Sequence, residues 1–177
     1  VISGKLDSWF ITDCIQGGAG TSFNMNANEV IANRAIEILG GKKGDYSIVH
    51  PNDHVNRAQS TNDVFPSAAK LTAAKLLKKA IAQLERLEAA LGQKEEEFHN
   101  IIKMGRTQMQ DAVPIRLGSE FGAYRKAIQR DLVRLNRALE GMYAVNMGGT
   151  AVGTALNANP AYVDALAPEL AKITGLP

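Results

Sequence analysis

The sequence predicts an all-α protein, an elongated antiparallel bundle of helices that is incomplete in this chain. Two segments, within roughly residues 62–103 and 115–145, repeat apolar residues every three or four positions. Alternating apolar and polar runs of strand length are scarce. An apolar stripe along a whole helix needs partners of equal length. Two long helices do not supply enough of them, so we expect the chain to self-associate.

The first helix is expected after the glycine-rich stretch 17–20, where Thr21 or Ser22 is a suitable N-cap. Gly40–Gly41 is a typical helix end. Residues 42–59 carry several turn formers, so we predict irregular structure there.

Ser60–Asp63 has the composition of a helix start, and Pro66 is placed in the first turn of the second helix. This helix is expected to reach as far as Asn100. Its apolar stripe consists of Val64, Ala68, Leu71, Ala74, Leu77, Ile81, Leu84, Leu87 and Leu91. We assign residues 1–59 to the end of an N-terminal helical domain with loop segments. Residues 60–177 then form the first part of a central domain of long helices.

A loop is predicted around Gly105–Pro114, and the third helix follows it up to about Tyr143. The polar, glycine-containing stretch 148–159 is expected to be a loop. Pro160 opens a last short helix, and Gly175 stops it.

The bulk composition excludes several function classes. A formal charge of +2 over 177 residues, without a basic block, does not favour nucleic-acid binding. No apolar run is long enough to cross a bilayer. The single cysteine, Cys14, cannot form an internal disulfide, which favours a reducing compartment. We therefore expect a cytoplasmic protein that contacts neither nucleic acid nor membrane.

Three polar segments place hydroxyl or amide groups at expected helix entrances, namely residues 20–24, 50–63 and 105–111. The commoner role of such residues is to cap free backbone N–H groups. The alternative is that the same N–H groups and the helix dipole bind anions. Three converging entrances would form a carboxylate-binding site.

A metal or nucleotide site is not expected. His50 and His54 flank Asn52–Asp53 but lack a third ligand at a recognised spacing, so hydrogen bonding is the favoured role. The glycine-rich stretch lacks the Lys–Ser/Thr pair of a P-loop. We expect no cofactor.

Four blocks of this sequence resemble the aspartase/fumarase superfamily, in the family's order. They are QGGAGTSFNMNANEV (16–30), HPNDHVNRAQSTND (50–63), KMGRTQMQDAVP (103–114) and GGTAVGTALN (148–157). With the helices between them they cover nearly the whole chain after Asp13. The first two long blocks are highly specific.

The resemblance implies an ammonia-lyase that converts L-aspartate to fumarate and ammonia. Fumarases carry a histidine after Gly-Arg-Thr, whereas this chain has Gln108, as many aspartases do. His50 points the other way, because many aspartases have Asn at that position. Fumarate hydratase, or a related superfamily lyase, therefore remains the alternative. A non-catalytic helical protein with a structural or interaction role is the alternative of another class. Retention of every donor position in the blocks argues against it.

The resemblance also implies roles for individual residues. Ser60, Thr61 and Gln108 are the expected catalytic residues within this chain. The substrate-binding residues are Thr21, Ser22, Ser60, Thr61, Asn62, Thr107 and Gln108. Of these, Thr21, Ser60 and Thr61 would hold the β-carboxylate, Asn62 and Gln108 the amino group, and Thr107 the α-carboxylate.

In the family the general base is a serine in a mobile Gly-Ser-Ser loop, and three subunits of a homotetramer build each site. That loop is absent from these 177 residues. We therefore expect a central fragment of a subunit that is inactive alone, with a small dicarboxylate as the substrate of the full-length homotetramer.

Overall fold

The computed structural model describes residues 1–15 and 18–177, so Gln16 and Gly17 of the glycine-rich stretch lie outside the described residues. The chain divides into two compact units, and each is described by itself. One unit comprises Val1–Leu71 and Val145–Pro177, and the other comprises Thr72–Ala144. Most described residues are helical, which confirms the all-α prediction with the exception of one small sheet.

The first unit contains α1 (Thr21–Ile38) and α4 (Pro160–Thr174). Its helix α1 buries Ala32 and Ile36 completely. The predicted cap of α1 was wrong, because Gly20 occupies the N-cap with a φ of 86° and no side chain caps the helix. Thr21 is instead the first helical residue.

Helix α4 begins and ends where the sequence indicates. Pro160 is its first residue, and the Asn159 side chain accepts a hydrogen bond from the Ala161 N–H at 2.9 Å. Gly175 ends it in the left-handed conformation with a φ of 67°, which favours glycine.

The two long helices are confirmed as α2 (Thr61–Glu97) and α3 (Leu117–Met142). Helix α2 runs from the first unit into the second. Pro66 was expected in the first turn but lies in the second, inside the helix. There it removes one backbone donor from the helical hydrogen-bond ladder.

The second unit shows the antiparallel packing of α3 against the later part of α2. The Phe121 ring lies 5.2 Å from the Phe98 ring, just beyond the end of α2. Further along α3, Gln129 donates to Glu88 at 2.7 Å. At the far end, the Lys78 Nζ lies 5.7 Å from the centre of the Tyr143 ring. Residues later in α3 therefore contact residues earlier in α2, so the two helices are antiparallel.

An ion-pair cluster joins these helices. Arg125 donates to Glu88 at 2.7 Å and to Glu95 at 3.2 Å. The hydrogen bond from Arg125, supported by that from Gln129, lowers the pKa of Glu88. The same hydrogen bond, donated by Arg125 to Glu88, is the main reason that the pKa of Arg125 is raised.

The predicted loop around Gly105–Pro114 was wrong, because this segment forms a β-hairpin. Strands β1 (Ile102–Thr107) and β2 (Gln110–Arg116) pair antiparallel, with Thr107 opposite Gln110. The turn lacks the Asn-Gly and Asp-Gly pairs that are typical of a hairpin, and proline is uncommon within strands, so the sequence gives no local signal for this hairpin. The third polar segment therefore lies on a hairpin and not at a helix entrance.

The apolar stripes of the two long helices are only partly covered in this chain. Within the stripe predicted for α2, Ala74 and Ile81 are buried, whereas Leu87 is 45% exposed. None of the helices in the described residues combines the length and the apolar character needed to cross a membrane.

Candidate active site

The entrance of α1 holds Thr21 and Ser22 at the surface. Their backbone follows Gly20, whose positive φ few other residues adopt without strain. A Cβ at Gly20 would also lie 2.3 Å from the Phe65 ring of α2. Glycine therefore permits the close approach between the start of α1 and the first turns of α2.

The segment that resembles the family's second block begins with a single π-helical turn, Pro51–Val55. The Nδ1 of His50 accepts from the N–H groups of Asn52 and Asp53, both at 3.2 Å. The Nδ1 of His54 accepts from the His50 N–H at 2.8 Å. Both histidines thus serve the backbone of this turn, as the sequence favoured over metal binding.

The Asp53 carboxylate also lies close to this turn, 3.3 Å from the His50 Nδ1. That nitrogen already accepts from two backbone N–H groups, so its hydrogen-bonding capacity is used within the turn. No group of three His, Cys, Asp or Glu side chains suited to a metal ion occurs among the described residues.

Ser60 and Asp63 form a reciprocal cap at the start of α2. The Ser60 Oγ accepts from the Asn62 N–H at 3.2 Å, and the Asp63 carboxylate accepts from the Ser60 N–H at 3.2 Å. This is the capping role considered for the segment. The hydroxyl proton of Ser60 is not used by the cap, so capping does not prevent Ser60 from donating to an anion.

Two buried asparagines, Asn24 and Asn28, and the half-buried Asn56 adjoin Thr61. Asn24 donates to the Thr61 Oγ1 at 3.1 Å and to the Asn56 Oδ1 at 3.2 Å. Asn28 donates to the same Asn56 oxygen at 3.1 Å. No function was predicted for these asparagines, although Asn24 and Asn28 stand one helical turn apart on α1 and therefore share a face.

Asp63 also anchors the segment that resembles the fourth block. Asp63 is 3% exposed, and its carboxylate accepts from the Thr150 N–H at 2.9 Å. Ser67, on the next turn of α2, accepts from the Asn146 N–H at 3.1 Å.

Burial raises the pKa of Tyr162, and the negative charge of Asp63 raises it further.

Thr150 is under strain in this arrangement. Its φ is 59°, which is unusual for a β-branched residue. Its buried hydroxyl has no hydrogen-bond partner among the described residues. Strain of this kind concentrates at functional sites. An open cavity of about 420 Å³ lies here, lined by Asn62, Asp63, Val145, Asn146, Met147, Gly149, Thr150, Ala151 and Gly153.

Thr107 and Gln108 belong to the second unit. Thr107 ends β1, and Gln108 and Met109 form the two-residue turn of the hairpin with φ values of 48° and 63°. Two positive φ values are what a type I′ turn requires, and glycine or asparagine normally supplies them. Gln108 therefore stands exposed at the tip of the hairpin.

The predicted site residues thus fall into two groups. The first unit holds Thr21, Ser22, Ser60, Thr61 and Asn62, and the second unit holds Thr107 and Gln108. Within the first unit, hydrogen bonds join the entrances of α1 and α2 through Asn24 and Thr61. A further cavity of about 270 Å³ is lined by Trp9, Lys43 and side chains of α1, and no predicted site residue lines it.

A sequence model of the family described as Lyase matches residues 1–177. The chain belongs to this lyase family. Its curated relatives include aspartate ammonia-lyases and a fumarate hydratase, and it spans little more than a third of their length.

The lyase chain is 55% identical to the aspartate ammonia-lyase of Bacillus subtilis (strain 168) over 177 residues, 100% of this chain and 37% of the relative. It is 49% identical to that of Helicobacter pylori (strain ATCC 700392 / 26695), covering 100% of this chain and 38% of the relative. It is also 49% identical to the mitochondrial fumarate hydratase of Danio rerio, covering 100% of this chain and 35% of the relative.

Solved structures agree with this lyase fold. A fumarate lyase:delta crystallin from Brucella melitensis, bound to cobalt, matches with a TM-score of 0.86 and 51% identity. That match covers 98% of this chain and 38% of the other. A class II fumarase from Schistosoma mansoni matches with a TM-score of 0.83 and 39% identity, over 96% of this chain and 36% of the other.

Proposed function

We propose that this chain is part of a subunit of an aspartate ammonia-lyase, which deaminates L-aspartate reversibly to fumarate and ammonia. Identity alone does not separate the two activities, because one aspartate ammonia-lyase and one fumarate hydratase are both 49% identical to the chain. The observation that carries the choice is Gln108, exposed at the hairpin tip. An amide does not titrate, so it cannot serve as the acid or base that handles water in a hydratase.

The chemistry removes a weakly acidic proton from Cβ, next to the β-carboxylate. A second negative charge then develops on that carboxylate, which gives an aci-carboxylate intermediate. Fixed neutral donors are suited to stabilise it, because they are oriented before the reaction and lose no proton. We assign Thr21, Ser60 and Thr61 to this carboxylate. Hydrogen bonds from Asn24 to Thr61, and between Ser60 and Asn62, support that assignment.

The remaining assignments follow the family resemblance. Asn62 and Gln108 would contact the leaving amino group, and Thr107 would help to hold the α-carboxylate. Ser22 lies beside Thr21 at the entrance of α1 and is retained as a binding residue. The general base would be the serine of the family's Gly-Ser-Ser loop, supplied by the part of the parent subunit outside these 177 residues.

We further propose a cytoplasmic homotetramer that builds each site from three subunits. The partly exposed apolar stripe of α2 supports association. Cys14 is an exposed free thiol, which suits a reducing compartment. We also retain the interpretation of residues 1–59 and 60–177 as parts of two domains.

The test is substrate choice by the parent enzyme. Fumarate formation is monitored by its absorbance. We expect the parent enzyme to form fumarate from L-aspartate and to form negligible fumarate from L-malate under the same conditions. Ammonia release should match fumarate formation one to one. Faster turnover of malate would replace the proposal by fumarate hydratase, which His50 favours within the family pattern. Turnover of neither acid, by a folded protein, would favour a non-catalytic role.

A further inference from the structure

We propose that Asn24, Asn28 and Asn56 are positioning residues that force the Thr61 hydroxyl to donate toward the substrate. The inference rests on the proposed function, because that function uses the Thr61 hydroxyl as a donor to the β-carboxylate. All four residues belong to one compact unit. These four side chains form a hydrogen-bond network that ends at the Gln59 backbone oxygen and the Met25 sulfur. The direction of each hydrogen bond within it follows from these two ends.

Both ends of the network are groups that only accept hydrogen bonds. The Asn56 amide lies 3.4 Å from the backbone oxygen of Gln59. The Asn28 amide lies 3.8 Å from the sulfur of Met25. A carbonyl oxygen and a thioether sulfur have no proton to give. The Asn56 amide atom that faces the Gln59 oxygen must therefore be a nitrogen, which sets the orientation of Asn56, and the Met25 sulfur, a weak acceptor, favours the same orientation for Asn28.

The middle of the network follows from these ends. Since the Asn56 nitrogen faces Gln59, the Asn56 oxygen faces Asn24 and Asn28, and it accepts from their nitrogens at 3.2 and 3.1 Å. The Asn24 nitrogen uses its second hydrogen on the Thr61 Oγ1, 3.1 Å away. An amide nitrogen donates and does not accept. The Thr61 oxygen is therefore an acceptor on its Asn24 side.

The consequence concerns the single proton of the Thr61 hydroxyl. It cannot point toward Asn24, and no residue in the described part of the chain accepts it in a hydrogen bond. Asn24 and Asn28 are each only 5% exposed, so water does not compete for their amides. The half-buried Thr61 hydroxyl is thus held as a donor toward the open side of the α2 entrance. A donor set in this way needs no reorientation when charge develops on the substrate.

The decisive substitution is Asn24→Asp in the parent enzyme. It replaces the donor by a carboxylate of the same shape, to which the Thr61 hydroxyl would turn inward. We expect kcat to fall by about a hundredfold or more, the order associated with loss of one preorganised oxyanion donor. The matched control is Asn33→Asp, which adds the same charge to the same helix outside the network. It should change kcat by about twofold or less.

A double substitution separates orientation from charge. If Asn24 acts through the Thr61 hydroxyl, it has nothing left to orient once that hydroxyl is removed. The kcat of the double variant Asn24→Asp/Thr61→Ala should therefore be within about twofold of the kcat of Thr61→Ala alone. A loss as large as in the wild-type background would overturn the proposal, because the added charge or a folding defect would then be the cause. Sizing and circular dichroism of each variant would establish that it is folded.

Neutron diffraction of the deuterated wild-type parent tests the same point without any assay. We expect two deuterons on the Asn24 amide, directed at Asn56 and Thr61, and the Thr61 deuteron directed away from Asn24. A Thr61 deuteron directed at the Asn24 oxygen would overturn the proposal. This result does not depend on which substrate the enzyme accepts, so failure here is distinguishable from failure of the proposed function.

Discussion

Thr61 and Gln108 differ in burial and in hydrogen bonding. This difference predicts different kinetic effects when each is replaced by alanine. Thr61 is half-buried and held by the Asn24 amide at the start of α2. Gln108 is exposed at the tip of a hairpin, and its side chain has no hydrogen-bond partner among the described residues. The first is preorganised before substrate arrives, whereas no hydrogen bond within the described residues fixes the second.

We expect Thr61→Ala to lower kcat by about a hundredfold or more, because it removes a fixed donor to the carboxylate whose charge grows in the transition state. Steady-state kinetics of the parent enzyme with L-aspartate would measure it. Thr72→Ala, at an exposed position further along α2, is the control and should leave kcat unchanged. An unchanged kcat for Thr61→Ala would reduce Thr61 to a structural role at the helix start.

Gln108→Ala should mainly raise KM for L-aspartate, with a smaller loss in kcat. Its assigned partner, the amino group, is already charged in the bound substrate, so the contact contributes similarly to ground state and transition state. Met109→Ala is the control, since it alters the other residue of the same turn. The assignment would fail if KM stayed constant while kcat fell steeply.

At the scale of elements, the junction between α2 and α3 depends on one glycine. The Leu117 N–H donates to the Ile101 oxygen at 2.8 Å, and the Gly118 N–H donates to the Phe98 oxygen at 3.0 Å. These bonds satisfy the first free donors of α3. A Cβ at Gly118 would lie 2.4 Å from the backbone oxygen of Glu95. Only a residue without a side chain permits this approach.

We therefore expect Gly118→Ala to destabilise the protein by about 1–3 kcal/mol, the range typical of overpacking against a backbone that cannot move freely. Gly141→Ala is the matched control on the same helix, where a Cβ would meet nothing within 4 Å. It should stabilise by about 0.5–1 kcal/mol, because alanine favours helix over glycine. Denaturant unfolding of the parent protein would measure both, and equal effects would contradict the close approach.

At the scale of the whole molecule, the exposed part of the α2 stripe is the face on which we expect further helices to pack. Leu87, 45% exposed, lies on the predicted stripe of α2. Leu76, 59% exposed, lies on the same helix but off the stripe. Burial of such side chains contributes about 1.5–3 kcal/mol each, so the stripe is the face expected to pack against other subunits.

We expect light scattering to give the parent a mass of four subunits. Leu87→Lys should shift the mass toward smaller species and reduce activity, because each proposed site needs three subunits and a buried lysine is costly. Leu76→Lys should leave the tetramer intact. Equal masses for wild type and Leu87→Lys would show that this part of the stripe is not an interface.

The long helices and the short α4 could be predicted because their signals are local. Apolar spacing, Ser60 at the α2 start and Pro160 and Gly175 around α4 all act within a few residues. The lyase family could likewise be identified from contiguous blocks. The hairpin could not, because it forms around a turn whose residues, Gln108 and Met109, do not favour positive φ on their own.

The hydrogen bonds that organise the candidate site were also beyond prediction, for a different reason. Asn24 meets Thr61 across 37 residues, and Asp63 meets Thr150 across 87. Asparagine and aspartate near a helix start commonly cap the helix, so their presence in the sequence does not indicate a partner far along the chain. Only the packing of α1, the start of α2 and the 145–150 segment in one unit brings these groups into contact. Burial then makes the donor and acceptor directions obligatory, because an unpaired polar group shielded from water is costly.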